Sequence, residues 1–170
     1  MNKACVLKSV YFIVLVYIAL VFCTCTDAIN DKNEIGLSNK LIDQKLGDSK
    51  LIMSIPADYK FKLTQGPDFG VYYLSSVDTT RKGIAAAGIY FGGFPRLFGP
   101  DSTNCKTDSL HSKLLKVTAT WLVYECDTTF FAETIIQQAE YGKVHAFISA
   151  KKRQDIEFFV NRFASLRETQ

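Results

Sequence analysis

Apolar and polar positions follow four successive rhythms along this chain. Val10 to Phe22 is an unbroken apolar run, preceded by Lys3 and Lys8 and followed by Cys23-Thr24-Cys25-Thr26-Asp27-Ala28. From Ile29 to Lys50 the chain is polar and charged, with weak apolar periodicity at Ile35, Leu37, Leu41, Ile42 and Leu46. From Leu51 to Ser149, short apolar or alternating runs recur between turn residues, which predicts β-strands. Beyond Lys151 the period becomes helical. Ile156, Phe159, Val160 and Phe163 fall at i, i+3, i+4 and i+7, and Leu166 extends the stripe.

These rhythms predict the elements. Residues 29–50 read as a polar linker, with a short helix around Asn39–Lys45 ended by Gly47-Asp48. Strands are expected at Leu51–Ile55 (stopped by Pro56), Tyr59–Leu63, Phe69–Ser75 and Ile84–Phe91. The three alanines in Ile84–Phe91 leave room for a large element, such as the C-terminal helix, to pack on top. Gly92-Gly93-Phe94-Pro95 then breaks the chain, and a long polar loop is expected from Arg96 to about Lys113. Strands follow at Val117–Glu125, Phe130–Gln137 and Lys143–Ser149, joined by turns at Asp127-Thr128-Thr129 and Glu140-Tyr141-Gly142. Hairpin spacing without βαβ alternation gives an α+β fold: a mainly antiparallel sheet of five to seven strands covered by a C-terminal amphipathic helix. The domain organisation read here is an export segment over 1–28, a linker over 29–50 and one domain over 51–170.

The first rhythm sets the compartment. Basic residues, an apolar run and then small polar residues make an export signal. The run is a little short for a bilayer span, which takes about 20 apolar residues. Two endings fit it. Thr26 and Ala28 suit a small-x-small cleavage before Ile29, which is the favoured one. Alternatively, Cys23 or Cys25 is a lipidated cysteine, although Phe22 lies badly for both. The domain is expected to be exported: periplasmic, tethered at the inner or outer membrane, or secreted.

Export changes how the cysteines are read. Of five in the chain, Cys5, Cys23 and Cys25 belong to the signal, leaving Cys105 and Cys126. Two cysteines in an oxidising compartment most simply pair. Closing that loop would add about 3 kcal/mol of stability in the chain-entropy model. A metal pair is the alternative, but the two histidines, His111 and His145, lie at no ligand spacing. No metal and no cofactor are expected. Hydrophobic residues make up 48 % of the chain and its formal net charge is +3, with both signs interspersed. That composition describes a folded domain and lacks the basic stripe of a nucleic-acid binder. Lys151-Lys152-Arg153 is the one tight basic run and reads as a solvated strand-to-helix turn.

Three pieces carry a family likeness: Ile55-Pro56-Ala57-Asp58-Tyr59, Gly88-Ile89-Tyr90-Phe91-Gly92-Gly93-Phe94-Pro95, and Trp121-Val123-Glu125 before a closing helix. Their order resembles small exported bacterial proteins of the PsbP-like α/β sandwich type over most of Leu51–Leu166. The resemblance implies a domain that binds proteins or membranes rather than catalyses. In size, signal and cysteine pair, the chain is also similar to exported immunity proteins, which block toxins sent by competitors. Neither likeness assigns roles to particular residues.

Catalytic signatures for serine hydrolases, zinc hydrolases and phosphate-binding loops are missing from the sequence. His111 has Asp108, Ser109 and Ser112 nearby, but neighbours in sequence rarely form a working triad. His145 reads as a surface or partly buried strand histidine. Glu125, Asp127 and Glu133 could approach one another across a hairpin, a pairing that does acid–base work only in a cleft. A small hydrolase using a histidine is therefore the lesser alternative. Binding fits better. The Gly92–His111 loop carries Phe94, Arg96, Leu97, Phe98 and His111, and aromatic residues and Arg are favoured interface anchors. The expected partner is a protein of the cell envelope, with membrane contact only through a retained signal or lipid. The competing reading tucks Phe94, Leu97 and Phe98 under the loop as core filling.

Overall fold

The computed structural model describes residues 40–78, 85–99 and 104–169. The expected export segment, with Cys23 and Cys25, lies outside them, as does the middle of the long loop. Described elements run β1 (Leu41–Lys45), β2 (Leu51–Pro56), β3 (Tyr59–Gln65), β4 (Phe69–Ser76), β5 (Ala85–Gly92), β6 (Lys106–Leu114), β7 (Val117–Cys126), β8 (Thr129–Gln138), β9 (Gly142–Ala150), α1 (Arg153–Phe163) and β10 (Arg167–Glu168). Seven strands form one sheet in the order β3-β4-β5-β9-β8-β7-β6, and every pairing in it is antiparallel. A second sheet, absent from the sequence reading, has the order β1-β2-β10. No described helix is long and apolar enough to cross a membrane.

The centre of one face of the large sheet, the inner face, is dry. Side chains alternate along a strand, so Ala85, Ala87 and Ile89 of β5 share a face with Val144, Ala146 and Ile148 of β9 and with Ala119, Trp121 and Val123 of β7. All are buried in one apolar cluster with Leu51, Met53 and Ile55 of β2. Small residues there leave space for large ones from α1. Phe159 tilts against Tyr59 at 5.4 Å between ring centroids, and Phe163 against Trp121 at 5.4 Å. The buried positions of α1 are Ile156, Phe159, Val160 and Phe163. Asp155 in its first turn and Arg162 in its last complement the helix dipole. Each fully buried aromatic or aliphatic side chain of this cluster contributes about 2 kcal/mol of hydrophobic stabilisation.

Two stretches differ from the sequence reading. The helix expected around Asn39–Lys45, inside the linker, is strand β1, which pairs along its whole length with β2. It is mostly exposed, so no apolar period marks it. Pairing and side-chain bonds hold it instead: the Phe61 N–H donates to Gln44 Oε1, and Asp43 accepts from Ser54 and Arg167. The expected loop from Arg96 to Lys113 ends early, because Lys106–Leu114 is strand β6. β6 is an edge strand with one fully buried residue, Leu114, so it carries no alternation to read. Its two-residue turn is Leu115-Lys116, at φ 50° and 67°. Such a turn ordinarily uses Asn and Gly, so the hairpin lacks its usual signal.

Candidate functional site

The opposite, outer face of the sheet is built differently. The strand register lines up Lys62, Tyr73, Gly88, Phe147, Glu133 and Leu122 in one row across β3, β4, β5, β9, β8 and β7. The next row holds Thr64, Val71, Tyr90, His145 and Ile135. Gly88 lets the Phe147 ring lie over the strand: a Cβ there would come within 2.3 Å of the ring, which would have to shift. Tyr73 meets the edge of Phe147 at 6.0 Å, and Phe69 stacks on Tyr90 at 5.9 Å. This aromatic floor stands apart from the inner core cluster.

The loop that follows β5 crosses this floor. Its anchor is Glu133, which is 0 % exposed. The Phe98 N–H donates to Glu133 Oε2 at 2.8 Å, and the Gly99 N–H donates to Oε1 at 2.9 Å. His145, 2 % exposed, places Nε2 3.0 Å from Oε2. An ionised carboxylate only accepts, so His145 donates from Nε2. Burial pushes the His145 pKa below its ordinary value, and the hydrogen bond and charge of Glu133 pull part of the way back. Burial and the negative charge of Glu133 both raise the neighbouring Tyr124 hydroxyl. The Phe98 ring covers the pair, 4.8 Å from the His145 ring and 5.5 Å from Phe147. Charge-assisted bonds of this kind, shielded from water, are strong.

With Phe98 and Gly99 clamped, the side chains before them face solvent. Phe94 is 87 % exposed, Phe98 60 % and Leu97 44 %, and Arg96 is exposed beside them. Phe94 and Leu97 therefore do not fill the edge of the core, whereas Phe98 rests one side of its ring on His145 and Phe147. Cys105 and Cys126 are bonded, with Cα atoms 4.4 Å apart, so the far end of the loop is fixed where β6 meets β7.

The other candidates separate. His111 is not in the loop. It is exposed on β6, two strands from β8 across the sheet, with Nδ1 3.3 Å from Thr120 Oγ1. Ser112 points to the opposite side of that strand, and Asp108 bonds to Arg153 of α1, which lowers the Asp108 pKa. No triad forms there. Glu125 and Glu133 fall on opposite faces of the sheet, so the carboxylates that might have met across the hairpin do not. His145 is buried rather than at the surface. Glu133 and His145 would suit acid–base work chemically, but both are buried, and the loop amides and His145 Nε2 already occupy the carboxylate. Among the described residues, no three His, Cys, Asp or Glu side chains gather as a metal group. An open depression elsewhere is lined by Leu115, Gln138, Glu140, Leu166 and Glu168. There the Glu140 and Glu168 carboxyls interact and the Tyr141 hydroxyl donates to Glu168 Oε1 at 2.9 Å. Burial and those carboxylates push Tyr141 up to about 12.

No protein-family model, curated protein or solved structure matches the chain.

The residue that sequence reading undervalued is Glu133. A usable signal was present: it is the only charged residue in an otherwise apolar and small-polar strand. Counting back through the β8–β9 hairpin places it diagonal to His145.

Proposed function

We propose that this protein is an exported, non-enzymatic binding domain that engages a protein partner through the Phe94–Phe98 segment. One observation carries the reading. Phe94 and Leu97, and the outer side of the Phe98 ring, stand in solvent on a loop whose backbone is fixed from beneath by a buried carboxylate. Leaving Phe94 87 % exposed forfeits about 2 kcal/mol that burial would return, and a partner's socket supplies that burial. Anchoring both ends lowers the entropy cost of ordering the loop at an interface. Loops held by a rigid scaffold are common recognition sites. The basic–apolar–small pattern of the first residues and the Cys105–Cys126 bond support export.

The test is co-purification of the tagged protein from the envelope of its native cells, beside Phe94→Ala and Arg96→Ala variants. A stoichiometric protein retained by the parent and lost from both variants, with unchanged circular dichroism, is the expected result. Equal retention by all three sinks the loop assignment.

A further inference from the structure

The charges on the large sheet are sorted between its faces. Its seven strands carry three acids, Asp108, Glu125 and Glu133. Strand alternation puts Asp108 and Glu125 on the α1 side, and Glu133 faces outward but is buried under the loop. Of the five lysines on the same strands, four are exposed on the outer face: Lys60 and Lys62 of β3, Lys113 of β6 and Lys143 of β9. Arg96 adds a fifth exposed cation at the loop tip. The face that presents Phe94, Leu97 and Phe98 is therefore cationic and has no exposed strand acid, although the whole chain is only +3.

We propose that the partner of this face is a protein with an acidic surface, its carboxylates ringing an apolar socket for Phe94 and Leu97. The inference rests on the binding reading above and adds the partner's chemistry. Charge complementarity of this kind sets register and on-rate and rejects like-charged surfaces. It excludes a second copy of the chain docking face to face, because the lysines would meet lysines. Arg96 separates a protein from a lipid surface. It lies between Phe94 and Leu97, so sinking both into hydrocarbon would draw a guanidinium toward the lipid, a cost that a protein socket avoids. A carboxylate at the rim of a protein socket instead pairs it bidentately.

The experiment places a photoreactive benzoylphenylalanine at position 94 (Phe94→benzoylphenylalanine) of the full chain in its native cells. The crosslinked product is then sequenced. The expected product is a protein whose crosslinked surface is rich in Asp and Glu. Its yield should fall at least about tenfold in a Lys60→Glu/Lys62→Glu/Lys143→Glu variant, and less in the matching Lys→Gln variant. Yield from lysed cells should also fall as salt rises from low to several hundred millimolar. Lys45→Glu, on the small sheet, is the control and leaves the yield unchanged. A protein crosslink indifferent to the charge reversals and to salt overturns the acidic partner while leaving the binding reading in place. A crosslink to phospholipid, or none to any macromolecule, overturns both.

Discussion

The two faces of the seven-stranded sheet bury side chains for opposite reasons. On the inner face, Trp121, Ile89, Ala146 and Ile148 meet α1 and β2 in a cluster held by area and fit. On the outer face a charged carboxylate is buried, and it is kept there by two backbone N–H groups and a histidine. The inner arrangement stabilises the domain and presents nothing to solvent. The outer arrangement uses a buried, hydrogen-bonded carboxylate to position one loop, which it turns outward. Stability and presentation are thus assigned to different sides of one sheet, and substitutions should separate them.

Trp121→Ala should give the largest effect. It deletes a 0 % exposed indole against Phe163 and should cost about 3–5 kcal/mol in urea unfolding. Its counterpart, Phe98→Ala, removes a ring that is 60 % exposed and should cost about 1 kcal/mol or less, while partner capture falls. If Phe98→Ala destabilises as much as Trp121→Ala, the outer face is a second core and not a presentation surface.

Cys105→Ser/Cys126→Ser comes next. Opening the bond should cost about 3 kcal/mol through unfolded-chain entropy, with the midpoint moved and the slope of unfolding little changed. The bond joins the loop's end to the β6–β7 hairpin. Amide exchange in β6 should therefore rise while α1 stays protected. Uniform loss of protection would mean that the bond serves both faces alike.

Glu133→Gln is the sharpest test of the outer face. The amide keeps the shape, but its nitrogen cannot accept from a backbone N–H, so one of Phe98 and Gly99 loses its acceptor. A cost of about 2 kcal/mol follows from stranding a shielded donor. Protection of the Phe98 and Gly99 amides should collapse while the inner strands keep theirs. Unchanged protection at those two amides would show that ring packing of Phe98, rather than the carboxylate, holds the loop.

How much of this was legible in the sequence also divides by face. Inner-face strands advertise themselves, because burial on one side imposes alternation: Ala119-Trp121-Val123 and Val144-Ala146-Ile148 read directly as strands. Six strands of the large antiparallel sheet and the C-terminal helix follow from such runs, while β2, also read as a strand, belongs to the second sheet. β1 and β6 were missed because both are edge strands fixed by pairing, with almost nothing buried. The Leu115-Lys116 turn hid the β6 hairpin by using residues that seldom accept positive φ. At the loop, Phe94, Arg96, Leu97 and Phe98 could be picked out by residue type, but their exposure could not. That depends on Glu133, 34 residues from Gly99 in sequence, and only the register of β8 on β9 brings its carboxylate beneath the loop. His111 was grouped with the loop because the start of β6 was invisible.

The smallest effect is that of pH, and it bears on the outer face alone. The inner cluster contains no histidine and no acidic or basic side chain, whereas on the outer face His145 is buried beside Glu133. Burial lowers its pKa in the folded protein from the ordinary 6.5, with Glu133 opposing. The unfolded chain therefore takes up a proton more readily than the folded one as pH falls through 6.5. Stability from this group is fully present above that pH, drops below it, and levels off once the folded imidazole is also protonated. His145→Gln keeps a donor for Glu133 and does not titrate. Urea midpoints measured between pH 7.5 and 5.5 should decline more steeply for the parent than for His145→Gln. A parent that instead gains stability on acidification would mean that the pull of Glu133 outweighs burial. The clamp would then be an ion pair tightened by acid, and the loop would be held most firmly where the present reading has it held least.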